Sequence, residues 1–146
     1  MDDYEKFEIE CKRIRQDNEV YLNKFSKWLE KSKLSEKTIN KHISNVDFYI
    51  NDYLLYDDSV EAKDGIDEVD TFLGYWFIKK AMWSSKATIK SNAASLKKFY
   101  TFMKEENLID NIELNQLNET IKEDMPQWLE TMDRYSDLTI DDVWNY

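Results

Sequence analysis

Apolar residues near the start of the chain recur at alternating steps of three and four, the spacing of one helix face. The stripe comprises Tyr4, Phe7, Cys11, Ile14, Tyr21, Phe25 and Trp28. Polar Asn18 interrupts it beside Asp17, and both residue types are good helix caps. The pattern predicts either one helix from about Asp3 to Lys31 or two helices that meet near Asp17. The stripe either packs on the core or forms a dimer contact.

Two further helices follow. Ser35 is placed to cap the second helix by accepting a hydrogen bond from the backbone of Thr38. The buried face of this helix runs to about Leu54 and comprises Ile39, Ile43, Val46, Ile50 and Tyr53. After an acidic loop over residues 56–65, a third helix is predicted at about residues 67–82. Its inward residues are Val69, Leu73, Trp76 and Phe77.

The fourth predicted helix has an apolar side and a cationic side. Ser84 or Ser85 caps its start, and it extends from about Lys86 to Glu106. Its buried positions are Ile89, Ala93, Leu96, Tyr100 and Met103. Its other face carries Lys86, Lys90, Lys97 and Lys104. The spacing therefore predicts a core contact on one side and a positive strip on the other.

The last third of the chain also follows a helical pattern. Its inward positions are Leu114, Leu117, Ile121, Trp128, Leu129 and Met132. We expect Pro126 to restart or kink this helix, because proline fits a first turn and disrupts a helix interior. Residues 139–142 can cap one last short turn. The whole pattern predicts an all-α fold, a single compact bundle of four to five helices over residues 1–110 with residues 111–146 as an acidic helical extension packed on the same domain.

Composition supports helices and a reducing compartment. Two glycines and one proline are too few for the turns of a sheet protein. The single cysteine, Cys11, excludes an intramolecular disulfide. The first residues are acidic, unlike a secretory signal, and the longest apolar run, at residues 72–78, is too short to span a bilayer. We therefore expect a cytoplasmic protein without membrane association.

The residues that catalysis would require are scarce. One histidine and one cysteine cannot form a structural zinc site, and two glycines cannot form a phosphate-binding loop. Adjacent carboxylates such as Asp57 and Asp58 point apart on a helix and are better explained as solvated charge. His42 follows Asn40 and Lys41 and is expected at the surface, solvated or in contact with phosphate. We predict no catalytic residue, cofactor or metal.

Charge is distributed unevenly along the chain. The formal net charge is −10, which disfavours binding to phosphates. Residues 24–104, however, carry fourteen lysines against eleven acidic residues, a net charge of +3. Residues 105–146 carry twelve acidic and two basic residues, a net charge of −10. The middle of the chain is therefore mildly basic and its end strongly acidic, an asymmetry that the total conceals.

Two stretches of the chain resemble a known domain. Residues 34–54 open with LSEKTI, and residues 87–109 contain ATI, SLKKFYTFM and ENLI. They are similar to the core-binding, SAM-like N-terminal domain of tyrosine recombinases and phage integrases, with Asn107 in place of the usual glycine. The resemblance extends over about residues 18–110. In that family the domain forms half of a clamp around duplex DNA, and a separate domain carries the catalytic Arg, His and Tyr.

The resemblance implies DNA contacts on the second and fourth helices. The implied contact residues are Lys37, Thr38, Lys41, His42, Lys86, Thr88, Lys90, Ser91, Lys97 and Lys98. Lysines would neutralise phosphates, and Ser or Thr would position the backbone of double-stranded DNA, so binding would be weak and salt-dependent. In the alternative, these lysines only solvate helix faces. The catalytic pattern of the family has no counterpart among Arg13, Arg15 and Arg134.

Two functions therefore compete. The first is a non-catalytic DNA-binding module of recombination or mobile-element biology, which binds DNA or a recombinase. The second is a protein-interaction module whose acidic end supplies the contact surface or mimics DNA. The acidic end could also cover the basic face and inhibit it. A homodimer, through the N-terminal stripe or through exposed Trp128 and Trp144, is compatible with both.

Overall fold

A computed structural model describes the backbone of residues 1–144 and the side chains of residues 1–137. Every regular element in this part of the chain is a helix, and five helical segments form one bundle, which confirms the all-α prediction. In chain order they are α1 (Asp3–Glu30), α2 (Glu36–Asp47), α3 (residues 64–80), α4 (Lys86–Glu105) and α5 (Asn111–Trp144). In the described residues, no helix is both long and apolar enough to cross a membrane.

The N-terminal stripe forms one helix, not two. Asn18 is fully buried in the middle of α1, and its side-chain nitrogen donates to the carbonyl oxygen of Ile50 at 3.2 Å and to Oδ1 of Asn51 at 2.8 Å. The polar interruption therefore marks a contact with the end of α2 and not a helix boundary. Tyr4, at the outer end of the stripe, is 67% exposed. The stripe thus packs on the core over most, but not all, of its length.

The second and third helices contain π-helical turns where they meet. α2 continues beyond Asp47 as π-helical Phe48–Tyr53. α3 consists of 3-10 helical Asp64–Glu68, α-helical Val69–Thr71, π-helical Phe72–Trp76 and α-helical Phe77–Lys80. The ring of Phe72 lies 4.8 Å, centroid to centroid, from the rings of Tyr49 and Tyr53. The wider i→i+5 turns therefore coincide with a block of large aromatic side chains.

The ends of α4 follow local sequence signals. Ser85 begins the helix with a capping box, in which its side chain and backbone exchange hydrogen bonds with Thr88. After the last turn, Asn107 adopts a left-handed φ of 61°. The backbone of Leu108 then donates to Met103 O at 2.9 Å, and that of Asn107 to Lys104 O at 3.0 Å, the pattern of a Schellman motif. All five predicted inward positions of α4 are buried.

The last helix is continuous through Pro126, so the predicted restart is wrong. Pro126 and Lys122 both lie on the exposed side of α5, where water can satisfy the carbonyl of Lys122 that loses its helical donor. α5 also runs through residues 139–142 without a separate turn, and the side chains there, like that of Trp144, lie outside the described residues. This helix contributes to the main core with Leu114, Leu117, Ile121, Trp128 and Met132.

Trp128 anchors α5 on α3. It is 2% exposed, and its indole nitrogen donates to Oδ1 of Asp70 at 2.7 Å. Gly74 leaves room for the indole, because a Cβ atom at that position would lie 2.7 Å from Trp128 Cδ1. The prediction that Trp128 is an exposed dimer contact is therefore wrong. The ring instead fixes the last helix to the bundle.

Candidate nucleic-acid interface

A polar seam joins α2 to α4, formed by His42, Asn45, Ser91 and Ser95. The side-chain nitrogen of Asn45 donates to the hydroxyl oxygens of Ser91 at 3.1 Å and Ser95 at 3.0 Å. Ser95 donates in turn to the carbonyl oxygen of Ser91, also at 3.0 Å. Because directional hydrogen bonds fix the two helices against each other, the side chains on either side of the seam keep a defined spacing.

His42 belongs to this seam, so its prediction as a surface residue is wrong. Only 9% of the residue is exposed, and its Nδ1 lies 2.7 Å from Ser95 Oγ. The hydroxyl of Ser95 already donates to Ser91, so His42 Nδ1 carries a proton and donates to Ser95. Successive helix residues are about 100° apart, which explains how His42 turns inward although its neighbour Lys41 is exposed.

Burial lowers the pKa of His42 below the ordinary histidine value, and the nearby ammonium groups of Lys98 and Lys41 lower it further. The imidazole therefore stays neutral at pH 7. A neutral ring adds no positive charge toward a phosphate. Its described contact is structural, and the two lysines beside it carry the charge at this position.

Besides Lys86, five of the ten candidate residues are lysines on the two helices that the seam joins. They are Lys37 and Lys41 on α2 and Lys90, Lys97 and Lys98 on α4. Lys98 is half-buried and the other four are exposed. None of the five forms an ion pair with any side chain of residues 1–137. We call this set the lysine face.

The other candidates are engaged in local structure. The hydroxyl of Thr88 completes the capping box of α4, accepting from the backbone of Ser85 at 2.8 Å. At the start of α2, the backbone of Thr38 donates to Ser35 Oγ at 3.2 Å, and that hydroxyl donates to the hydroxyl of Thr38. Ser91 accepts from Asn45 in the polar seam. These hydroxyl groups therefore shape the interface but already have partners.

Lys86 is the point at which the acidic last helix reaches α4. Its ammonium group lies 2.9 Å from Oδ2 of Asp133, and both side chains are about half exposed. Such an exposed pair contributes about 0–1 kcal/mol to stability. The charge of Lys86 is thus paired with a carboxylate of α5, unlike the charges of the lysine face. The expected covering of the basic strip by the acidic end is limited, in the described side chains, to this one pair.

Four of the seven acidic side chains described on α5 face a different direction. A hollow of about 420 Å³ lies between α3 and the first half of α5. Six carboxylates line it: Asp67, Asp70, Glu113, Glu119, Glu123 and Asp124. The bundle therefore separates a positive surface on α2 and α4 from a negative one on α3 and α5, although the chain as a whole is acidic.

The chemistry of the lysine face favours phosphates over bases. Lysine acts as a point charge, whereas sequence-specific contacts in the major groove are made mainly by Arg, Asn and Gln. Asn92 is 4% exposed and donates to the carbonyl oxygen of Thr88, which leaves Asn40 as the exposed amide nearby. Among the described residues, no group of three or more His, Cys, Asp or Glu side chains is placed to hold a metal ion.

Two features of this region could not be recognised in the sequence. The polar seam joins residues more than 45 positions apart in the chain, so no local pattern shows it. The acidic hollow likewise combines two separate segments.

No protein family matches the chain, and no curated protein or solved structure shows significant similarity to it.

Proposed function

We propose that the chain is a non-catalytic module that binds double-stranded DNA through its lysine face. The observation that carries the proposal is that the polar seam joins α2 to α4, and that five lysines on these helices have no carboxylate partner among the described side chains. The resemblance to core-binding domains of recombinases implies contacts on the same two helices. That resemblance also suggests a role in DNA recombination or mobile-element biology, with strand cleavage left to a separate chain.

The proposed binding is electrostatic and nearly independent of sequence. Each phosphate neutralised by a lysine contributes about 0.9 to the slope of log affinity against log salt concentration. Engagement of the whole face therefore corresponds to a slope of up to about 4.5. The rigid polar seam supports this binding, because it holds the lysines of α2 and α4 together before DNA arrives.

The experiment is a titration of a fluorescent duplex of about 20 base pairs at about 50 and 200 mM salt. We expect Lys90→Glu/Lys97→Glu to weaken binding by about a hundredfold at the lower salt concentration and to flatten the salt dependence. Both residues are exposed, so the fold should be retained.

The matched control is Lys63→Glu/Lys122→Glu, which changes the net charge equally at two exposed lysines outside the face. It should retain binding within about threefold of the wild type, because distant exposed charges are screened. An equal loss in the control would show that net charge and not the lysine face controls binding. Undetectable binding of the wild type at the lower salt concentration would refute the proposal.

The alternative function is a protein-interaction module, and the acidic hollow favours it. Six carboxylates on two helices offer a surface for a basic partner or a mimic of phosphate charge. The two functions use different surfaces, so variants separate them. Under the alternative, the wild type captures a polylysine peptide but no duplex DNA, and Glu119→Lys/Glu123→Lys abolishes that capture. DNA binding by the wild type that persists in this variant supports the lysine face instead.

A further inference from the structure

A patch of exposed aromatic rings lies where the end of α2 meets α3. Tyr56, Tyr75 and Trp83 are each more than half exposed. The rings are nevertheless held in place. Trp76 packs between Tyr53 and Tyr56, with centroid distances of 5.1 and 5.7 Å, and Trp83 packs on its neighbours in the core. Exposed rings that are already ordered lose little entropy on binding, which is typical of interface hot spots.

The Tyr56–Trp76 pair divides this patch into two hollows of about 350 and 500 Å³. The first hollow contains the carboxylates of Asp57, Asp58 and Glu68. The second contains the cationic groups of Arg15 and Lys80 together with the carboxylate of Asp52. The patch is therefore negative on one side of its aromatic ridge and mainly positive on the other. We call these the acidic hollow of the patch and its basic hollow.

We infer that this aromatic patch binds a second copy of the chain in a two-fold dimer. An interface between identical chains related by a two-fold axis must be complementary to itself. A two-fold axis along the Tyr56–Trp76 ridge places the acidic hollow of the patch in each copy against the basic hollow of the patch in the other. The exposed edges of Tyr75 and Trp83 then face the hollows of the opposite copy.

The charge of the patch favours binding of a second copy of the chain over binding of nucleic acid. The carboxylates at Asp52, Asp57, Asp58 and Glu68 would repel phosphates on both sides of the ridge. A second copy instead brings the cations of its Arg15 and Lys80 to the acidic hollow of the patch. The patch uses none of the residues of the lysine face, so the dimer and the proposed DNA binding can be tested separately.

The first test is the mass of the full chain in sedimentation equilibrium at concentrations up to about 100 µM. The proposal predicts a reversible increase from 17.6 kDa toward twice that mass. A wild-type chain that remains monomeric over the whole range overturns the inference, whatever the result of the DNA titration.

The second test exchanges charge between the two hollows. Arg15→Glu/Lys80→Glu places acids against acids, and Asp57→Lys/Asp58→Lys places bases against bases, so each variant alone should dimerise about tenfold or more weakly. All four residues are exposed, and circular dichroism verifies the fold. An equimolar mixture restores opposite charges at both contacts and should dimerise within about threefold of the wild type.

A matched control, Lys37→Glu/Lys41→Glu, changes the net charge as much as the first variant and should leave dimerisation unchanged. The Asp57→Lys/Asp58→Lys variant gives a further check. It brings the net charge of −10 closer to zero, so general repulsion alone would make it dimerise more tightly. Tighter association of this variant, or no recovery in the mixture, overturns the two-fold arrangement.

Discussion

The two halves of the second helix contact the rest of the bundle in different ways. The first half, Glu36–Asp47, is a regular α-helix that reaches α4 through His42 and Asn45 with hydrogen bonds of 2.7–3.1 Å. The second half, Phe48–Tyr53, is π-helical and reaches α3 through aromatic rings. Hydrogen bonds constrain direction, whereas ring packing buries more apolar area. One helix therefore aligns the lysine face with its first half and stabilises the bundle with its second.

The largest effect should come from the aromatic half. Phe72 is fully buried and contacts rings on both π-helical segments, so Phe72→Ala should lower the free energy of unfolding by about 3–5 kcal/mol. Urea denaturation followed by circular dichroism measures the change. Tyr75→Ala removes a ring from the same helix that is 57% exposed, and it should cost less than about 1 kcal/mol. Equal losses in both variants would contradict the assignment of stability to the buried rings.

A smaller effect is expected at the polar seam. Ser95→Ala removes the hydroxyl that accepts from His42 and Asn45 and leaves a buried imidazole N–H without that partner. We expect a loss of about 1–3 kcal/mol in the free energy of unfolding. Ser44→Ala, on the exposed side of α2, should stay within about 0.5 kcal/mol of the wild type in the same urea titration. A neutral Ser95→Ala variant would show that the seam does not hold the helices together.

The smallest effect is a pH dependence from His42, the single histidine of the chain. Its pKa is lower in the folded state, so the unfolded chain binds more protons as the pH falls below about 6.5. The contribution of this residue is therefore fully present above that pH and decreases as the pH falls toward the folded pKa. Unfolding free energies at several pH values should decline less steeply in His42→Asn, which retains a donor but does not titrate. Parallel curves would contradict the lowered pKa.

The features that sequence predicted well depend on near neighbours. The capping residues Ser35 and Ser85, and the left-handed Asn107, interact with groups a few positions away, so their geometry follows from local rules. The inward face of α4 follows equally from helical spacing. Residues 67–82 were predicted as the third helix, which lies at residues 64–80, and this shift is of the usual size for helix boundaries.

The features that sequence could not predict depend on distant partners. Lys86 lies one helical turn before Lys90, and only its ion pair with Asp133 distinguishes it from the lysine face. His42 has polar neighbours, and only its hydrogen bond to Ser95 explains its burial. The π-helical turns likewise occur where aromatic residues of two helices pack together. The sequence of either helix alone does not predict that contact. Half of the candidate site was therefore identifiable from residue type, and its boundaries required the fold.

The buried amide of Asn18 determines how α1 lies along the bundle. It donates to a backbone oxygen at Ile50, inside the π-helical end of α2, whereas apolar contacts alone would tolerate a helix that slides along its axis. A slip of one turn, about 5.4 Å, would leave the amide in an apolar environment without an acceptor, at a cost of about 1–3 kcal/mol. A single polar side chain thus fixes the register of α1 against α2. An Asn18→Leu chain would gain hydrophobic contact but would lose the hydrogen bonds that hold this register.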